Sequence, residues 1–174
     1  ANGGTRNDVH VVQKVVDKDG EVLYEAKERS KQTVDTDIAS DVTYALQQVV
    51  DSGSGSEALA LARPAAGKTG TATNDDGDVS SSWFVGFTPQ VSTAVMYVRG
   101  KGREGLDVLR PDGADLWLPT SSDGRSGYFG GNYPAKTWTS IMQRVMEGTE
   151  VQDFPEPAFV DGDAPEDGHE YVPP

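Results

Sequence analysis

Cysteine is absent from the 174 residues, so the chain can build neither a disulfide framework nor a thiolate metal site. Histidine is nearly absent: His10 and His169 are the only two, which argues against a multi-histidine metal centre. Positive charge is scarce as well. There are 15 basic residues against 28 acidic ones, for a formal net charge of −13. That balance removes the basic footprint that nucleic acid or an anionic membrane surface requires, and it favours solubility. No run is long and apolar enough for a transmembrane helix, and no signal peptide precedes Ala1, so any export signal or anchor is expected on sequence outside this stretch. Hydrophobic residues make up only 36%, so part of the chain is expected to lie outside a packed core. The length suits one domain with one sizeable core.

What is present falls into punctuated segments. Ala1-Asn2-Gly3-Gly4 carries the residue types that close a helix, although no helix stands before it; a tag remnant is the other reading. Val9, Val11, Val12, Val15 and Val16 form a β-branched run, Asp17-Lys18-Asp19-Gly20 is a turn, and Glu21 to Ala26 returns with Val22 and Tyr24 alternating, which predicts a hairpin. Ile38, Val42, Ala45, Leu46 and Val49 then recur at helical spacing, with Asp35 or Thr36 as cap and Ser52-Gly53-Ser54-Gly55 as stop. Residues 57–62 predict one or two further helical turns before Pro64.

Three strand-like segments follow, at 64–73, 82–87 and 91–98. Their short connections predict an antiparallel meander. Residues 100–133 read as a long surface loop anchored by Leu109, Trp117, Leu118 and Phe129. Pro134 opens a helix whose apolar stripe is Trp138, Ile141, Met142, Val145 and Met146, closed by Gly148. The stripe predicts core packing across the meander. Residues 153–174 are acidic and proline-rich and read as a mobile tail, with Phe154 and Phe159 as weak anchors. The expected division is therefore 1–152 as folded domain and 153–174 as tail.

The segment that carries chemistry is Ala66-Gly67-Lys68-Thr69-Gly70-Thr71-Ala72-Thr73. A phosphate-binding loop ending in Gly67-Lys68-Thr69 would need a glycine at position 62 so that backbone amides can wrap the phosphates. Position 62 is alanine, Pro64 removes another donor, and Gly70 falls where the helix of that loop should be running. The other reading is the Lys-Thr-Gly strand of serine-active penicillin-recognising enzymes. There Lys68 supplies a positive charge for a substrate carboxylate, and Thr69 and Thr71 supply hydroxyls. Gly70 lets substrate lie against the backbone, and the Thr71 amide can face a developing oxyanion. A Lys-Thr-Gly tripeptide alone is equally an ordinary strand with a surface lysine.

The order of segments adds to it. Ala1-Asn2-Gly3-Gly4, the hairpin from Val11 to Leu23, Gly53-Ser54-Gly55-Ser56-Glu57-Ala58, Ala66 to Thr71, Trp83-Phe84-Val85-Gly86-Phe87-Thr88-Pro89 and the stretch from Gly130-Gly131 to Trp138 follow one another. In that order, over about residues 1–155, the chain resembles the C-terminal part of class A (bifunctional) penicillin-binding proteins. The resemblance implies an α+β transpeptidase fold, an antiparallel sheet packed with helices and shared with β-lactamases, of which this stretch is the C-terminal portion. It implies a peptidoglycan D,D-transpeptidase that works through an acyl-serine and binds penicillin covalently. Lys68 and Thr71 are its catalytic contributions here, and Lys68, Thr69, Gly70 and Thr71 its substrate contacts. Stem peptides and β-lactams are the implied partners, with no nucleic acid, no metal and no cofactor. The implied location is the extracytoplasmic membrane face, with an anchoring helix not in this chain. The acidic, Ala/Val/Asp-rich composition is compatible with an actinobacterium.

The departures matter equally. Neither Ser-x-x-Lys nor Ser-x-Asn occurs in the sequence. The expectation is a fragment, inactive by itself, whose serine lies on an upstream segment. A non-catalytic module that keeps the fold is one alternative. A carboxypeptidase or β-lactamase is the other, and the hairpin and the Trp83-to-Pro89 segment argue against it.

Overall fold

The computed structural model describes residues 2–106 and 128–160. The anchors Leu109, Trp117 and Leu118, His169 and the last part of the tail lie outside the described residues.

The chain opens as a two-stranded ribbon. β1 (Thr5–Asn7) pairs antiparallel with β4 (Ser30–Gln32), and farther out β2 (Lys14–Val16) pairs with β3 (Val22–Glu25). The hairpin read from the sequence forms in shortened form, with Val9, Val11 and Val12 outside its strands and exposed; it turns because Asp17 accepts the amides of Asp19 and Glu21 through Oδ1, both at 2.9 Å, and Gly20 takes φ +88°. The Ala1-to-Gly4 signal closes no helix among the described residues. Gly3 and Gly4 turn into β1 with positive φ, and Gly4 backs so closely on Val34 that a Cβ would overlap its carbonyl.

Helix α1 (Thr36–Asp51) begins where Asp35 Oδ1 accepts the amide of Asp37 at 2.8 Å. Its packing corrects a simple reading of the apolar stripe. Ile38 and Val42 are exposed, whereas Ser40, Thr43 and Val50 are buried. The two hydroxyls tolerate burial because each donates to the carbonyl four residues back, Ser40 to Thr36 and Thr43 to Ala39.

After a short 3-10 helix (Ser56–Leu61), the chain enters the predicted antiparallel meander. β5 (Ala66–Thr73), β6 (Val79–Phe87) and β7 (Ser92–Val98) lie in the order β5-β6-β7. Helix α2 (Tyr133–Val145), with Pro134 in its first turn, crosses one face of this sheet. Trp138 and Phe84, both fully buried, meet edge to face at 5.3 Å. The Trp138 indole N–H donates to the carbonyls of Gly86 and Thr93, both at 3.2 Å. The Phe84 ring fits because Gly55, Gly67 and Gly86 surround it: a Cβ on any of the three would come within 2.9 Å of a ring atom. Val50, Ala58, Leu61, Ala65, Val95, Ala135, Met142 and Met146 complete the core. Burying a side chain of the Phe84 or Met142 class contributes about 1.5–3 kcal/mol.

The 3-10 helix is tied to α2 by Thr139 Oγ1 donating to the Glu57 carbonyl at 3.2 Å and by Gln143 donating to the Ala60 carbonyl at 2.8 Å. Beyond α2, residues 151–160 have no regular structure but are held. Phe154 stands edge-on to Phe87 and Phe159 edge-on to Tyr44, so both aromatic anchors find partners.

Candidate functional site

β5 pairs only with β6 among the described strands, so its other edge is open. Register fixes which way each side chain of Ala66 to Thr73 points. Thr69 is opposite Phe84 and Thr71 is opposite buried Ser82, so both threonines are on the face that carries α2. Lys68 is opposite Val85 and Gly70 is opposite Trp83, on the outer face.

The lysine does not stay there. Its Nζ folds round the strand and donates to the Thr69 carbonyl at 3.0 Å, with Thr69 Oγ1 at 3.4 Å. The ammonium and that carbonyl therefore share the open edge. In an antiparallel strand, residues two apart turn their backbone groups to the same side. The register is regular through Ala72, so the Thr71 amide faces the same open edge. The edge thus carries a cation and a backbone donor, with the two threonine hydroxyls beside them on the α2 face of the same strand. Among the described residues the Lys68 ammonium has no carboxylate in salt-bridge contact. This is an arrangement for holding an anion and for stabilising negative charge beside it.

Two further elements close on the strand. The bend after α1 brings Ser54 Oγ to 2.8 Å from Thr69 Oγ1. The turn before α2 lays Gly130 over Gly70, and its amide donates to Thr71 Oγ1 at 3.3 Å. Gly130 has to be glycine there, because a Cβ would collide with the Trp83 carbonyl and the Gly70 backbone. The four sequence-predicted residues, Lys68, Thr69, Gly70 and Thr71, are contiguous and stay together on β5. Sequence reasoning gave no site role to Ser54 or Gly130. Glycine on both sides of Ser54 and the pair Gly130-Gly131 were the only local signals, and both also read as plain turns.

Trp83 divides from Phe84 at this point. Phe84 belongs wholly to the core, whereas Trp83 is 37% exposed beside Gly70, its indole donating to Ser81 Oγ at 3.3 Å.

Residues 1–110 match the model of the penicillin binding protein transpeptidase domain. The chain is 33% identical over 165 residues to penicillin-binding protein 1A of Mycolicibacterium smegmatis, covering 93% of this chain and 19% of the relative. It is 32% identical to penicillin-binding protein 1A of Mycobacterium tuberculosis, covering 93% of this chain and 18% of that protein. The D,D-transpeptidase domain of a peptidoglycan glycosyltransferase from Eggerthella lenta is similar at 33% identity and a TM-score of 0.47, over 55% of this chain and 23% of that one. The chain thus spans about a fifth of the length of these curated relatives.

Proposed function

The chain belongs to the transpeptidase family of penicillin-binding proteins, and we propose that it supplies the substrate-clamping strand of a peptidoglycan D,D-transpeptidase. The observation that carries this reading is the open edge of β5, where the Lys68 ammonium lies over the Thr69 carbonyl beside the Thr69 hydroxyl.

In this reading the carboxylate of a stem peptide's terminal D-alanine lies along β5. Lys68 meets it with a charge-assisted hydrogen bond, and Thr69 and Thr71 meet it with hydroxyls. Gly70 leaves the backbone bare, so the substrate lies close. The Thr71 amide shares the oxyanion hole. The serine comes from a Ser-x-x-Lys segment of the same protein, outside this chain, with a Ser-x-Asn segment beside it. Its Oγ bonds to the carbonyl carbon of the penultimate D-alanine, the C–N bond breaks, and the terminal D-alanine leaves with the proton. The amine of a neighbouring stem then attacks the ester and frees the serine. A β-lactam offers the same carboxylate, and its ring carbonyl acylates the serine as the ring opens.

The proposed setting is the extracytoplasmic face of the membrane. Among the described residues no helix is long and apolar enough to cross it; the proposed anchor is a helix of the longer protein. The second reading is a non-catalytic module that keeps the fold. Fluorescent penicillin with intact-mass analysis separates the two. The complete protein is expected to gain one acyl adduct, and the isolated 174-residue chain none. Covalent labelling of the isolated chain, or no labelling of the complete protein, contradicts the transpeptidase reading.

A further inference from the structure

We infer that Ser54 is a positioning residue of the carboxylate clamp, acting through the Thr69 hydroxyl. The inference rests on the reading of β5 as the substrate strand. Ser54 lies 15 residues before Thr69, yet the two hydroxyl oxygens are 2.8 Å apart. The bend that carries Ser54 is pinned from beneath. The Gly55 amide donates to the Val49 carbonyl at 2.8 Å, and Gly55 rests against the Phe84 ring.

The consequence lies in the direction of the hydrogens. A hydroxyl has one hydrogen to give and two lone pairs to accept with. The Lys68 ammonium, 3.4 Å from Thr69 Oγ1, can only donate. When Ser54 donates as well, both lone pairs of the Thr69 oxygen are occupied. The Thr69 hydrogen then points outward, which is the polarity an anion needs. Thr71 accepts one such donor, the Gly130 amide, at its Oγ1. Without Ser54, the Thr69 hydroxyl is free to turn a lone pair toward the carboxylate and repel it. Ser54 therefore contributes to discrimination between a carboxylate and a neutral ligand, without touching either.

The test is the second-order acylation rate of the complete protein by a β-lactam acid and by its methyl ester. Ser54→Ala is expected to slow the acid about 3- to 10-fold, the range of one neutral hydrogen bond, and the ester less than about 2-fold. Ser54→Thr should restore most of the loss. In a Thr69→Val background, Ser54→Ala should cost nothing more, because its effect passes through that hydroxyl. Equal losses on acid and ester, or full additivity with Thr69→Val, would make Ser54 a scaffold residue and overturn the inference. If Lys68→Ala and Thr69→Val slow the acid while Ser54→Ala does not, the inference alone fails. If Lys68→Ala and Thr69→Val both acylate like wild type, the substrate-strand reading fails and takes this inference with it. Should Ser54→Ala lose its fold, Ser54→Cys, a poorer donor of similar size, undergoes the same acid-against-ester comparison.

Discussion

Phe84 and Trp83 are neighbours in β6 and face opposite sides of the same sheet. Phe84 is 0% exposed, held by three glycines and Trp138, while Trp83 is 37% exposed, with Val85 and Met96 exposed beside it. The run Trp83-Phe84-Val85-Gly86-Phe87 has the composition of a strand covered on both faces, yet among the described residues it is well covered on one. The helix face supplies the stability. The open edge next to it holds the groups proposed to meet the substrate. A packed face beside an exposed edge lets Lys68 keep its place without being buried.

The largest expected effect tests the packed face. Phe84→Ala or Trp138→Ala should cost about 3–5 kcal/mol, because a large side chain leaves a cavity that a glycine-lined pocket cannot refill. Trp83→Ala should cost less, because among the described residues its ring is 37% exposed where that of Phe84 is fully buried. Urea denaturation of the complete protein measures both. Similar losses for Phe84→Ala and Trp83→Ala would remove the distinction between the faces.

Next comes the edge. Lys68→Ala should slow acylation by a β-lactam by roughly 30- to 1000-fold, the equivalent of about 2–4 kcal/mol of transition-state stabilisation. Its melting temperature should barely move, because surface substitutions away from packed features stay within about 0.5 kcal/mol. An ordinary surface lysine predicts no change in either quantity. Thr69→Val should cost less, about 0.5–1.5 kcal/mol in the same rate, since only a neutral hydroxyl is lost. Equal losses for Lys68→Ala and Thr69→Val would mean that charge is not what the edge contributes.

How much of this was legible in the sequence follows from the range of each interaction. The meander and α2 were legible because period-2 alternation, short turns and one stripe are local patterns. Trp138, Met142 and Met146 are buried as the stripe requires, while Ile141 and Val145 at its margin are exposed. That Lys68 to Thr71 share one strand was legible because they are contiguous. The outward turn of α1 was not. Two of its apolar residues, Ile38 and Val42, are exposed while Val50 at its far end is buried, and Ser40 and Thr43 can be buried because their hydroxyls bond within the helix. The β1–β4 pairing was missed as well: Thr5-Arg6-Asn7 and Ser30-Lys31-Gln32 have no strand alternation, and Gln32 and Thr33 tie them together through side-chain bonds to Gly3, Gly4 and Thr5. Ser54 and Gly130 reach β5 from distant positions, and no local pattern encodes that approach.

The smallest expected effect concerns the segment after α2, where acid should loosen a contact that neither face of the sheet provides. Asp41, on α1, accepts the amides of Ala158 at 2.7 Å, and of Phe159 and Val160 at 2.8 Å. The Val160 and Phe159 amides are the main reason its carboxyl is held below the usual range for aspartate. A depressed pKa fixes the sign. The contact stabilises fully above the unfolded-state value of about 3.9, and it is lost as pH falls through the lower folded-state value. The amide resonances of Phe159 and Val160 should therefore move on acidification with a midpoint below about 3.9. In Asp41→Asn that transition should vanish, and the Phe159 ring should leave Tyr44, which it meets at 5.8 Å. Acylation should be unchanged in this variant, because Asp41 belongs to α1 and not to the β5 edge. A midpoint at or above the ordinary aspartate value would mean that the three amides do not hold the carboxylate in solution. The segment from 151 to 160 would then hang on Phe154 and Phe159 alone.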